Sequence, residues 1–219
     1  MSFNTTAKNV MLDSLDESVT QITHIGVHAL GTDPGRGANA AGTEATGGSP
    51  AYARQAVTWA AATAETKSNS GSLTFDVPAG TYAYFTMFNA STGNTNNYRG
   101  YIPFGGASAL KGFATTDTTL TNDQFLSVSH GLADGDRVIL RAVFAETLPA
   151  GVAEGTVYYV VNSATNTFKV STTQGGSAVD LTALNGGEVY WRRIVPETFN
   201  SQGQITVAAS ALVLDLTGI

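Results

Sequence analysis

LTFDVPAGTYAYFTMFNAST, residues 73–92, alternates with period two on both sides of a turn. Leu73, Phe75 and Val77 alternate with Thr74 and Asp76, and Pro78-Ala79-Gly80 then reverses the chain. Tyr82, Tyr84, Thr86 and Phe88 alternate with Ala83, Phe85 and Met87. The pattern predicts two consecutive strands. The second carries large side chains on both faces, so both faces need cover, as a strand inside a β-sandwich has. The expected fold is all-β: a jelly-roll-like β-sandwich with one short N-terminal helix and an inserted small all-β domain.

Working outward, the segments on either side supply few other regular signals. Ala7, Val10, Met11 and Leu15 fall at helical spacing, and Asn4 or Thr5 can cap a short helix there. Its apolar stripe either packs on the sandwich or meets a neighbouring subunit. Val19 to Leu30 reads as the first strand, with His24 and His28 on one face. Four residues of strand separate them by about 13 Å, too far to share one metal ion, so two half-exposed histidines are expected. Residues 31–50, GTDPGRGANAAGTEATGGSP, form a long Gly/Ala/Thr loop without a phosphate-binding glycine pattern. Such loops are usually functional or disordered. A partner contact through Asp33 and Arg36 is expected; Asp33 with Glu44 is a weak cation pair. Tyr52 to Ala62 is read as a strand, and Pro103 places the strand after Tyr98 at an edge or bulge.

The texture changes near Phe113. Short alternating runs follow one another, VYYVVN, TFKVS and VYWRRI among them, separated by Gly- and Asp-rich turns. After Pro196 the first texture returns, with Ile205 and Val207 in one strand and Leu212, Leu214 and Leu216 in the next. Two strands cannot form a domain alone, so they complete the N-terminal sheet. The expected organisation is a discontinuous sandwich, 1–112 plus 195–219, interrupted by a small β domain at 113–194.

The chain carries a net charge of −6, 13% charged residues, 24 glycines and no cysteine. No disulfide or thiolate site is possible. No Lys/Arg run offers a footprint for nucleic acid. No apolar run is long enough for a membrane helix, and no basic-then-apolar leader is read at the start. Catalysis is not expected. Ser129 and His130 are adjacent, and adjacent strand side chains diverge. Asp134 and Asp136 around Gly135 read as a turn whose carboxylates accept backbone N–H groups, in preference to a weak cation site. No paired-carboxylate site is flanked by aromatic platforms. No cofactor and no metal are expected.

Four elements together resemble a family of tailed-bacteriophage virion proteins common in phages of actinobacteria: AKNVMLDSL, GGSPAYARQAVTWAAAT, TFDVPAGTYAYFTMFNASTG and ETFNSQGQITVAASALVLDL. They cover most of 7–104 and 197–216. Where that family leads one to expect a short turn between Gly106 and Glu197, this chain carries its long insertion. SHGLADGDRV and LPAGVAEGTVYYVVNSATNTFKVSTTQGGSAVDL resemble a small β module found inside many phage structural proteins, across 119–182.

The resemblance implies a structural component of a tailed-phage particle, a capsid decoration or minor tail or fibre protein. It implies a virion location after synthesis in the host cytoplasm, with major capsid or tail proteins as partners. A homo-oligomer is expected, a trimer most of all. Ala7, Val10, Met11, Leu15, Asp33 and Arg36 are the expected partner contacts. The alternative is a carbohydrate-binding adhesion module on a host surface glycan, stacking sugars on Tyr98, Tyr101, Tyr158 and Trp191.

Overall fold

The computed structural model describes residues 4–16, 21–105, 110–116, 120–143, 147–184 and 188–216. The described residues form an all-β fold, their regular elements being strands apart from one short α-helix and the 3-10 turn Ser14–Asp16 that follows it. It divides into two units. Unit 1 comprises Met1–Leu30, Pro34–Ala107 and Pro196–Ile219; unit 2 comprises Gly31–Asp33 and Ser108–Val195. The insertion thus begins after Ala107 rather than after residue 112, and it ends at Val195 rather than at residue 194.

Unit 1 contains helix α1 (Thr5–Asp13) and strands β1 (His24–Ala29), β2 (Gln55–Ala56), β3 (Thr66–Ser68), β4 (Leu73–Val77), β5 (Gly80–Phe88) and β6 (Tyr98–Pro103). Most of the segment read as a strand from Tyr52 is irregular; β2 and a bridge at Trp59 are its regular parts. Unit 2 contains β7 (Lys111–Thr116), β8 (Phe125–Leu126), β9 (Arg137–Ala142), β10 (Val157–Val161), β11 (Thr167–Ser171) and β12 (Glu188–Ile194). Unit 1 resumes with β13 (Glu197–Phe199), β14 (Gly203–Val207) and β15 (Val213–Asp215).

The strand β5 organises unit 1. One edge pairs with β1, from His24 opposite Phe88 to Ala29 opposite Tyr82. The other edge is shared. β6 pairs with its second half, Tyr84 opposite Pro103, and the Phe104 N–H then donates to the Ala83 carbonyl at 2.8 Å. Glu197 of β13 takes the next place, opposite Tyr82. That is the position Gly105 would occupy if β6 ran on. β6 and β13 are therefore two halves of one strand in one register, and unit 2 interrupts it mid-strand rather than at a turn.

One face of this sheet packs on the ribbon β4–β14. Ile25, Val27 and Met87 meet Phe75, Val77, Ile205 and Val207 in one core. The alternation of Leu73, Phe75 and Val77 is the pattern of a strand with one buried face, and all three are buried. A further ribbon joins β15 to β3. One five-stranded sheet and two separate ribbons do not make up the paired sheets of a jelly-roll.

The other face of β1 and β5 is also buried. It carries His28, Thr86 and Phe88. The loop following unit 1's first strand pairs with the edge of β1, the Ala45 N–H donating to the Val27 carbonyl and the Ala29 N–H to the Thr43 carbonyl, and the bridge of Glu44 to His28 puts the Glu44 side chain on this face. Ala40 packs with Phe88 and Tyr98. Much of the loop expected to meet a partner is thus intramolecular cover.

Unit 2 closes as a six-stranded barrel in the order β10-β11-β8-β7-β12-β9. Phe125, Leu140, Phe168, Val189 and Trp191 fill it. Its first and last strands pair with each other, Arg192 opposite Lys111, and the Arg193 N–H donates to the Leu110 carbonyl at 2.7 Å. The module's two ends therefore lie side by side within unit 2.

Candidate functional site

The helix presents a different face from the one its apolar spacing predicts. Asn4 caps it, its Oδ1 accepting the Ala7 N–H at 2.9 Å. Lys8 and Leu12 are buried, Leu15 is packed on the core and Ala7 is half-buried. Val10 is 64% exposed and Met11 45%. Polar bonds set this orientation. Lys8 Nζ meets Glu65 at 2.9 Å, Asn9 Oδ1 accepts the Glu65 N–H, and Asp13 Oδ1 accepts both Lys67 Nζ (2.7 Å) and the Ala62 N–H (2.8 Å). Hydrogen bonds from Lys67 and Lys8 hold the Asp13 and Glu65 carboxyls below the usual carboxylate range.

The remaining expected site residues separate. Asp33 is 1% exposed, and Arg141 Nη2 reaches both its oxygens at 2.7 and 2.6 Å within unit 2. It is no partner contact. Glu44 is engaged by Arg54 in unit 1, so each carboxylate of the suggested cation pair already has its own guanidinium. Tyr98 is 5% exposed, Tyr158 3% and Trp191 2%. The Trp191 indole N–H donates to Ser127 Oγ, and the Tyr158 hydroxyl accepts the Ala153 N–H. These three rings are core side chains and cannot stack sugars; Tyr101 remains half-buried at the surface.

Ser129 and His130 line a shallow hollow of ≈ 680 Å³ in unit 2. The Leu132 N–H donates to His130 Nδ1, so the neutral ring carries its proton on Nε2 and donates it to the Thr167 carbonyl. Neither nitrogen is free to act as a base on Ser129. Asp134 accepts the Ser163 N–H and Asp136 the Ala133 N–H, as turn carboxylates do. Among the described residues, no group of three or more His, Asp or Glu is placed to hold a metal ion.

Two features of unit 1 escape the sequence patterns. The first is a buried polar cluster on the covered face of the sheet. Arg54 Nε and Nη2 each meet one oxygen of Glu44 at 2.7 Å. Arg54 Nη1 donates to the carbonyls of Ala90 and Gly93, and its guanidinium lies 3.3 Å above the Phe88 ring. The Tyr52 hydroxyl accepts the Val27 N–H and donates to Glu44. Burial, then the Glu44 charge, pushes that phenol's pKa far up. A Cβ on Gly26 would lie 2.8 Å from Glu44 Oε1 and 2.9 Å from Thr86 Oγ1, so a glycine makes room for the carboxylate. An arginine in the alanine-rich run after Tyr52 was the one available signal.

His28 belongs to this cluster. It is 2% exposed, and its Nδ1 is 3.0 Å from Thr86 Oγ1. Burial lowers its pKa to about 4; nearby Glu44 raises it and Arg54 lowers it. The folded chain keeps this ring neutral while the unfolded chain protonates it below its ordinary value near 6.5. Stability from this group is complete above that value and is lost as pH falls towards 4. The shift corresponds to about 3 kcal/mol of unit 1 stability. Urea unfolding at pH 7 and pH 4 measures it. His28→Gln is expected to flatten the pH dependence by that amount, and an unchanged slope would refute the assignment.

The second feature is a groove of ≈ 340 Å³ lined by 35–37 and 98–101, with Met87. The Tyr98 hydroxyl donates to the Gly35 carbonyl and ties the two strips together. Arg36 and Tyr101, expected for different reasons, are brought together here.

No protein family, curated protein or solved structure matches the chain.

Proposed function

We propose that this chain is a structural component of a tailed-bacteriophage particle, a capsid decoration or minor tail or fibre protein. Its partners are other virion proteins, and it acts as an oligomer, a trimer in the favoured case. The resemblance of its outer segments supplies the class. The observation that carries the reading is the outward stripe of α1. Ala7, Val10 and Met11 lie on a helix clamped to unit 1 by ion pairs, and two of the three are well exposed. Exposed apolar residues on a fixed element suit a surface that a neighbouring subunit covers.

Two measurements test it. Antibody raised against the chain should label intact particles at repeated positions on shell or tail; unlabelled particles would sink the proposal. Native mass measurement should find an oligomer that Met11→Glu combined with Val10→Asp reduces to monomer, with the urea midpoint of unit 1 little changed. Exposed positions without buried partners usually shift stability by less than about 0.5 kcal/mol.

A further inference from the structure

We propose that the groove at Arg36 binds a carboxylated sugar, one ring bearing one carboxylate. The inference stands apart from any role in a virion. Its first ground is the state of the guanidinium. Among the described residues, the other arginines are all engaged. Arg54 holds Glu44, Arg141 holds Asp33 and Glu154, and Arg193 meets Asp136. Arg137 lies over Tyr159, Arg192 bonds Tyr190, and Arg99 is fixed on the carbonyls of Asn96 and Tyr98 at 2.9 and 3.0 Å. Arg36 is exposed and has no such partner, in a chain of net charge −6 that offers many carboxylates.

The second ground is the shape around it. Gly35 has φ +77° and Gly100 φ +144°, so residues with a Cβ are disfavoured on both strips and the opening is set by backbone. The groove's ≈ 340 Å³ lies at the small end of ligand sites, room for about one or two sugar rings. Tyr101 is the half-buried ring in its wall. It packs edge-on against the buried Tyr84, with centroids 5.7 Å apart, so its position is fixed before a ligand arrives.

The third ground is charge. A planar guanidinium matches a carboxylate with two parallel hydrogen bonds. Arg99 adds a second, immobile positive charge in the same groove. The surrounding acidity of the chain disfavours anions elsewhere, which makes the position selective. A neutral sugar would leave Arg36 without its partner, and a bare anion would leave the Tyr101 ring unused.

The test uses the full chain and saturation-transfer NMR titrations with D-glucuronate, D-glucose, acetate and inorganic phosphate. The expected result is saturation of glucuronate ring protons and binding about tenfold tighter than glucose or acetate. Arg36→Gln should weaken glucuronate by about the same factor, since one charge-assisted pair is lost. Its folding is unaffected, because the side chain is exposed and partnerless. Tyr101→Phe should bind like the unaltered chain, and 1 M salt should weaken glucuronate. Absence of glucuronate binding overturns the proposal, as does Arg36→Gln binding equally well. Acetate or phosphate binding as tightly as glucuronate also overturns it, because the sugar ring would then contribute nothing. Particle labelling is a separate readout, so either proposal can fail alone.

Discussion

A chain in which Phe104 is joined directly to Glu197 is expected to fold as unit 1. The deletion removes 105–196 and yet breaks no ladder in the sheet. Phe104 already bonds Ala83, and Glu197 already pairs with Tyr82, the next residue along β5. The fusion restores one uninterrupted strand in the register both halves hold. The converse truncation, a chain ending at Val195, is expected to lose unit 1 altogether. It removes β13, β14 and β15, the partners of β5, β4 and β3. Ile205, Val207 and Leu212 leave the core with them. Three buried aliphatic side chains represent about 6 kcal/mol before the lost ladders are counted. That is comparable with the whole stability of an ordinary domain. Circular dichroism and amide NMR spectra separate the outcomes. The fusion should give a dispersed β spectrum, and the truncation should show sharp resonances from unit 2 beside collapsed ones from unit 1. An unfolded fusion, or an intact unit 1 in the truncation, would refute the interrupted-strand topology.

That topology was only half legible in the sequence. The 73–92 pattern gave the two central strands, because period-two alternation reports one buried face directly. The return of the first texture after Pro196 indicated where unit 1 resumes. The shared register of β6 and β13 was not readable, since no local pattern records which distant residue takes the next place on β5. β7 was missed for a different reason. Gly112 lies against Trp191, where a Cβ would come within 3.0 Å of its ring, and Ala114 is the next inward residue. Small inward residues leave no hydrophobic alternation to detect. The helix misled because its buried face is held by Lys8 and Asp13 through ions. Apolar spacing cannot register such a bond. The candidate groove was visible only as separate residues, Arg36 in a loop and Tyr101 in a strand; their meeting depends on the Tyr98 hydroxyl bond to Gly35.

The same limit hid the ion pair whose loss should be costly. Arg54→Met is expected to destabilise unit 1 by about 3 kcal/mol, the lower part of the range for breaking a buried pair. The lower figure applies because the Glu44 side chain retains 23% exposure while Arg54 retains 4%. Removing the guanidinium leaves Glu44 against Tyr52 and the sheet with no cation, and it strips donors from the Ala90 and Gly93 carbonyls. Methionine keeps a long apolar side chain at the position but removes the guanidinium that lies over Phe88, so the loss includes that cation–π contact as well as the hydrogen bonds. Arg54→Lys should recover little of it. An ammonium cannot bond both oxygens of Glu44 in parallel and reach two carbonyls from one plane. Glu44→Gln in the Arg54→Met background should restore part of the stability, because the uncompensated charge is then gone. Urea midpoints of the unaltered chain, Arg54→Met, Glu44→Gln and the double variant form the cycle. If the double variant is no more stable than Arg54→Met alone, the buried carboxylate is not what makes the single change costly. The cover over the second sheet face would then rest on Ala40 packing against Phe88 and Tyr98 instead.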